Sequence, residues 1–290
     1  FFKRVGSHGK QALTMCMGFG CNAAGVVACR IIDSPRERLI ALLTNTFVPC
    51  NGRFPAIILV SSLFLKASVF PTGGAGTTAL WLLFSIFLGV AVTFIVSYVL
   101  SSTVLKGIPS AFAIELPPYR RPQITKVLVR SFLDKTVFVL ARAAAVAAPA
   151  GAVTWLLANT YTQGTSLLLR LANALGPMGR LIGLDGFILT AFLLGLPANE
   201  IVLPILMMAY SSGGVMVDIS SLSALHSLLV SCGWTARTAL CFIAFSVLHY
   251  PCATTLWTVW HETQSFKWTV FSALMPLAVA FFICFLLAQG

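Results

Sequence analysis

Long apolar stretches separated by short polar ones run the length of this chain, and their lengths limit what they can be. Thr78 to Leu105 contains no charged residue. At about 1.5 Å of rise per residue, a helix of that length crosses a hydrocarbon layer of about 30 Å with some tilt. Val137 to Ala158, Ala236 to Val259 and Lys267 to Gln289 predict three more spanning helices, the last two joined by the turn WHETQSF, and Phe54 to Phe70 predicts a shorter one. Lys106 to Lys135 is polar and rich in proline, and the part after Pro122 fits an amphipathic helix lying on the membrane surface. The uncharged loops at 71–77 and 159–165 belong on the opposite side. Two stretches fit neither class. Gln11 to Ile32 and Asp185 to Tyr210 are long enough to span, yet Gly, Pro or Asn interrupts each near its middle. The pattern predicts an all-α, polytopic membrane protein in which some helices are broken.

The two interrupted stretches match each other. GSHGKQALTMCMGFGCN (6–22) and GLDGFILTAFLLGLPAN (183–199) align without a gap, pairing Gly6 with Gly183, Gly18 with Gly195 and Asn22 with Asn199. Each leads on to a Pro-Cys pair, FVPC at 47–50 and HYPC at 249–252. The second copy is longer between these landmarks, and the surplus falls largely within 211–235, which reads as an insertion. Repeats made from discontinuous membrane helices are the architecture of many secondary transporters, with the substrate site at the repeat interface. Sequence alone leaves open whether the copies run parallel or inverted.

Composition sharpens this picture. Hydrophobic residues make up 58% of the 290 and charged residues only 9%, with mean hydropathy +0.92. Soluble domains carry about 25% charged residues, so this chain belongs in a bilayer. The net charge of +11 would suit nucleic acid if it formed a patch. Instead the basic residues flank apolar runs, with the largest group at Arg120, Arg121, Lys126, Arg130 and Lys135. That is the placement of cytoplasmic loops under the positive-inside rule, and nucleic acid is not an expected partner. The eight cysteines sit almost wholly in apolar tracts, which argues for reduced thiols over a disulfide framework. The chain begins at Phe1 with no signal peptide, as a piece starting partway through a larger membrane protein would.

The interruptions carry the candidate chemistry. A break inside a membrane helix frees carbonyls and N–H groups that hydrocarbon cannot satisfy, so it persists only against protein or a polar cavity. Pro49, Pro197, Pro204 and Pro251 each remove a donor and free a carbonyl one turn earlier. Cys50 and Cys252 place thiols beside such carbonyls, and Cys21 adds a third within GFGCN. Its counterpart in the second copy is Ala198, so the set is asymmetric. Glu200 is the only acid between Asp185 and Asp218. An intramembrane carboxylate marks a functional site, the competing use being a hydrogen bond to a neighbouring break. Asn22 and Asn199 supply amide oxygens but fit caps of broken ends better, and His249 is either a ligand or a satisfied core histidine. Cys16, Cys29, Cys232, Cys241 and Cys284 read as packing residues. Thiol, imidazole, carboxylate and carbonyl together suit a borderline divalent ion such as Fe²⁺ better than Mg²⁺ or Ca²⁺. There is no phosphate-binding G-x-x-x-x-G-K-[ST], no H-E-x-x-H and no convincing serine-histidine pair, so this chain is not expected to be an enzyme.

GFGCN, ACRIIDSPRERLIALLTNTFVPCNGR, ELPPYRRP, GLPANEIVLPILMMAY, LHYPCATTL and WHETQSFKWT occur in this order along nearly the whole chain. In these motifs the chain resembles the ferrous iron transport protein B family. The resemblance implies two Gate repeats related to those of nucleoside transporters. It divides the chain into the C-terminal part of a first Gate repeat (1–72), a core region with a spanning helix and basic cytoplasmic loop (73–133), a second Gate repeat (134–265) and a last membrane helix (266–290). It implies a multi-pass protein of the bacterial inner membrane that imports Fe²⁺, with no covalently bound cofactor. GTP would enter only through an N-terminal GTPase domain of the parent protein, which is not in this sequence. Small cytoplasmic accessory proteins of the iron-uptake system are implied partners, and a homo-oligomer is compatible with the family. Carried onto this sequence, its suspected metal path runs through Cys21, Cys50, Cys252 and Glu200. Family members often read GFGCNVP, whereas Ala23-Ala24 follows Asn22 here, so the first break rests on Gly18 and Gly20. A Gate-type permease for a nucleoside or another small organic solute is the alternative reading.

Overall fold

A computed structural model describes residues 5, 6, 8–65, 75–107, 123–125, 129, 137–162, 165–210 and 222–289. In chain order the helices are α1 (Gln11–Gly20), α2 (Asn22–Ala28), α3 (Pro35–Thr44), α4 (Phe54–Phe64), α5 (Ala75–Ser102) and α6 (Phe138–Asn159). There follow α7 (Leu167–Leu181), α8 (Gly186–Leu194), α9 (Val202–Tyr210), α10 (Leu222–Ser231), α11 (Ala236–Leu248), α12 (Ala253–Thr263) and α13 (Phe266–Gln289). Between α6 and α7 two short strands, β1 (Tyr161–Thr162) and β2 (Thr165–Ser166), pair antiparallel. The protein is thus helical throughout its described membrane region, as the pattern predicted. The amphipathic helix expected after Pro122 and the loop at 71–74 fall outside the described residues.

The long apolar runs behave as expected, with α5, α6 and α13 forming long helices close to the predicted limits. The run from Ala236 to Val259 is long and apolar enough to cross as one span, but its helix stops at Leu248 and restarts at Ala253. Pro251 cannot continue the hydrogen-bond ladder, and the backbone is extended at His249 and Cys252. The same construction appears in the first copy. Residues 35–64 form one crossing made of α3 and α4, interrupted by the turns Asn45–Phe47 and Asn51–Arg53 around Pro49. The shorter span expected at 54–70 is therefore the second half of a broken one, with residues 66–70 outside the described set.

The two stretches read as interrupted spans do something different: each turns back on itself. Cys21 takes an extended conformation between α1 and α2, the two helices lie side by side, and Lys10 before α1 meets Asp33 beyond α2 at 2.7 Å. The Lys10 ammonium holds this exposed carboxyl below the usual carboxylate range. In the second copy Ala198 is extended, α8 and α9 lie side by side, and the Tyr210 hydroxyl at the far end of α9 donates to Asp185 at the start of α8. Both segments are hairpins whose tips are the breaks. The amphipathic α7 precedes the second hairpin and meets α8 at 112°.

The hairpins enter from opposite ends of the helix layer. At the Lys10 end, Arg30 forms a bidentate pair with Glu262 at the foot of α12, and Arg36 donates to the carbonyls of Leu105 and Ser101 below α5. At the Asp185 end, Trp234 donates to Tyr210 at 2.8 Å and stacks with Phe64 at the end of α4, and Arg237 donates to the carbonyl of Ala288 at the end of α13. The α3–α4 crossing runs from the first end to the second, and α11–α12 runs back. Each copy is one hairpin followed by one broken crossing, and the copies are inverted. The backbone repeats closely. Gly6 and Gly183 both have positive φ, +75° and +70°. Cys21 and Ala198 stand at φ/ψ −155°/125° and −150°/125°, Cys50 and Cys252 at −81°/165° and −63°/158°. The surplus segment of the second copy carries α10, which turns into α11 at Gly233, again with positive φ.

The α7–α8 corner needs glycine. A Cβ at Gly186 would drive into the carbonyl of Ala172 and stand 2.9 Å from the Gly176 nitrogen, both backbone groups that cannot move aside. Gly186→Ala is expected to cost about 1–3 kcal/mol, read as a lowered Tm in detergent. Inversion of the copies is checked by labelling. With a membrane-impermeant thiol reagent, Asp33→Cys is expected to react from one face of sealed vesicles and Ser231→Cys from the other.

Candidate functional site

Four helix breaks meet inside the molecule, and each is tied to another by groups the breaks themselves expose. The tip of the first hairpin is held by Asn22. Its amide nitrogen, turned toward the carbonyls, donates to Gly18 O at 3.2 Å and to Val48 O at 3.0 Å. The first of these satisfies the frayed end of α1 and the second satisfies a carbonyl left open in the α3–α4 break. Asn22 is thus a cap, as its residue type suggested, but it caps the end of α1 and not the start of α2. Asn45, in the α3–α4 break, answers from the other side by donating to Asn22 O at 3.1 Å. Gly18 and Gly25 make room for it: a Cβ at Gly18 would stand 2.8 Å from Asn45 Oδ1, and one at Gly25 would stand 2.5 Å from its Nδ2. Gly20 has open space around it, so Gly18 is the glycine that shapes this break.

The second hairpin reaches the same place. Asn199 points its amide nitrogen at the Cys50 sulfur, 3.8 Å away, and Glu200 lies over Gly52, where a Cβ would come within 3.1 Å of Glu200 Oε1. Leu196 O in the hairpin tip accepts from Ala253 N, at the restart of α12, at 2.7 Å. Cys252 contacts the Thr255 hydroxyl at 3.2 Å and lies within electrostatic reach of Cys50 and Cys21. The structure therefore brings Cys21, Cys50, Cys252, Asn22, Asn199 and Glu200 to one junction. Asn22, Asn199 and Cys50 are buried there, Cys21 and Cys252 are half-buried, and Glu200 is exposed.

His249 belongs to a different environment. Its ring is buried, with Nδ1 2.9–3.0 Å from the carbonyls of Ser246 and Phe245. Its faces and edges meet Phe192, Phe245 and Tyr250. Of the two uses open to it from sequence, this geometry is that of a satisfied core histidine.

The residue that sequence reasoning passed over is Arg53. Only 1% exposed, its guanidinium sits between the two broken crossings. It donates to Thr46 O at 3.3 Å, Val247 O at 2.5 Å, and His249 O and Tyr250 O at 3.3 Å each. A basic residue three positions after a Pro-Cys break was the available signal. Among the described residues no group of three or more His, Cys, Asp and Glu side chains stands ready as a closed metal shell. What the junction offers is thiols and a carboxylate interleaved with main-chain carbonyls and amides.

Removing the Asn22 amide leaves two buried carbonyls without donors. Asn22→Ala is expected to destabilise the protein by about 1–3 kcal/mol, with a lowered Tm, while Asn159→Ala on the exposed end of α6 leaves it within about 0.5 kcal/mol.

Comparison with known proteins now adds to the geometry. A family model described as "Nucleoside recognition" (Gate) matches residues 1–64 and 140–266, and one described as "Ferrous iron transport protein B C terminus" matches 82–134. A protein of Staphylococcus aureus named "Fe(2+) transporter FeoB" is 30% identical over 98% of this chain and 41% of its own length. One of the same name from Synechocystis is 28% identical over 99% of this chain and 44% of its own. A Porphyromonas gingivalis relative, 24% identical over 98% of this chain and 38% of its own, is named as a fusion of Fe(2+) transport protein A with the Fe(2+) transporter FeoB. The chain spans about two fifths of the length of these relatives. No solved structure matches it.

Proposed function

The chain belongs to the ferrous iron transport protein B family, and from that premise we propose that it forms the permease through which Fe²⁺ crosses the bacterial inner membrane. The observation that carries this reading is the meeting of four broken helices around Cys21, Cys50, Cys252 and Glu200. An ion that sheds water in a low-dielectric layer needs replacement ligands, and thiol, carboxylate and carbonyl favour a borderline divalent ion over Mg²⁺ or Ca²⁺. The absence of a closed shell among the described residues suits a path, since a permeating ion must leave as readily as it enters. Asn22 and Asn199 shape the junction, and His249 packs the core beside it.

The Lys10 end is the cytoplasmic one on this reading. It carries Lys10, Arg30, Arg36 and Arg38, and α5 ends there at Ser102. The second hairpin then opens outward. A nucleotide-binding domain elsewhere in the whole protein would act through this cytoplasmic end, biasing the inverted units between states. Accessory iron-uptake proteins would meet the same end. The match to the nucleoside-recognition family raises a nucleoside as cargo, which would want a free aromatic face to stack on. The rings of Phe192, Phe245 and Tyr250 beside the breaks are instead engaged with His249.

The test is Fe²⁺ uptake by cells lacking their own importer and supplied with the whole protein. Cys21→Ala, Cys50→Ala, Cys252→Ala and Glu200→Ala are each introduced singly at matched membrane abundance. Loss of at least about tenfold, equivalent to about 1.4 kcal/mol, is expected for one or more of them. Wild-type uptake from all four would remove this metal path.

A further inference from the structure

Arg53 is a buried cation at the heart of a membrane protein, and its partners are unusual. No carboxylate pairs with it among the described residues; its four hydrogen bonds all go to main-chain carbonyls. Among the described residues its Nε has no acceptor, so the side chain is not held as a guanidinium fork on an acid. Thr46 O comes from the broken end of α3, and Val247, His249 and Tyr250 from the broken end of α11. Helix C-termini carry partial negative charge, and two of them aim at one point here. In transporters built from discontinuous helices, such unwound carbonyls and half-helix C-termini coordinate a coupling sodium ion or proton.

We propose that Arg53 is a built-in counter-cation: its guanidinium occupies a carbonyl site of the kind that binds an alkali ion, so the two broken crossings are held together without a borrowed one. The site adjoins the thiol junction, the Arg53 backbone N–H donating to Cys50 O at 2.9 Å. It therefore also sets a fixed positive charge beside the path. The assignment stands on the carbonyl geometry and not on the identity of the cargo, so its test does not depend on Fe²⁺ being transported.

The experiment compares thermal unfolding of the whole detergent-purified protein and its Arg53→Ala variant in choline, sodium, potassium and low millimolar guanidinium chlorides. Wild type is expected to unfold at one temperature in all four. R53A should have a lower Tm in choline, and guanidinium or an alkali ion should restore it by about 5 °C when present about a hundredfold above its dissociation constant. An R53A protein as stable as wild type, or one destabilised but equally so in all four salts, would overturn the proposal. Should R53A fail to accumulate, Arg53→Lys carries the test. Its ammonium keeps the charge but has three donors for four carbonyls, so a lowered Tm that ignores sodium is expected. A sodium-driven rise in R53K would refute the assignment.

Discussion

Backbone groups freed inside a bilayer have no water to fall back on, and leaving one unsatisfied costs several kcal/mol. This chain interrupts its helices four times in the region most hostile to interruption. The cost is met by making every break the partner of another. Asn22 satisfies Val48, Asn45 satisfies Asn22, Arg53 spans the broken ends of α3 and α11, and Ala253 donates to Leu196. No break is closed by its own residues alone. The junction therefore behaves as one object: a shift of either hairpin tip leaves donors or acceptors orphaned in a neighbouring crossing. That interdependence is what a two-state transporter element requires, since packed, mutually satisfied arrangements exchange as units and do not deform continuously.

The two ends of the molecule are fastened by different physics. At the Lys10 end the latches are ion pairs with at least one exposed partner, Lys10 with Asp33 and Arg30 with Glu262. Pairs of that kind are worth about 0–1 kcal/mol each and weaken as salt rises. At the Asp185 end the fastening is a chain of short hydrogen bonds from Trp234 through Tyr210 to Asp185, packed against Phe64 and Phe187. Such a chain is shielded from salt and loses several contacts together when it opens. The ion-paired end is therefore the one that small forces can rearrange.

Much of this was legible in the sequence, and the failures have identifiable causes. Long apolar runs gave the helices α5, α6 and α13, and α5 and α13 are long and apolar enough to cross a membrane. The pairing of Gly6 with Gly183 and Asn22 with Asn199 marked real backbone equivalence, down to the sign of φ at the glycines. Direction was not legible. Twenty apolar residues with a central break cost the same in sequence whether the second half continues onward or folds back, and only the contacts of Lys10 with Asp33 and Tyr210 with Asp185 decide. Arg53 escaped because a lone arginine next to an apolar run ordinarily marks a membrane boundary. Its burial depends on carbonyls supplied from nearly two hundred residues away, which no local pattern encodes. His249 was ambiguous because its local partners Phe245, Ser246 and Tyr250 leave both uses open until Phe192 of α8 closes against the ring.

Equal backbones with unequal side chains give the junction a polarity. Cys50 and Cys252 repeat in both copies, but the first hairpin tip presents Cys21 where the second has Ala198, and the second presents Glu200 where the first has Ala23. The thiol-bearing tip belongs to the hairpin rooted at the Lys10 end and the carboxylate-bearing tip to the one rooted at the Asp185 end. On the transport reading, the junction offers an ion one hard oxygen ligand from the second tip and softer sulfur from the first tip and from both crossings. A carboxylate replaces lost water quickly but discriminates little among divalent cations, whereas thiolates favour the borderline and soft ones. Inverted symmetry alone would make both directions equivalent, so the difference between Cys21 and Ala198, and between Ala23 and Glu200, is where direction enters the structure.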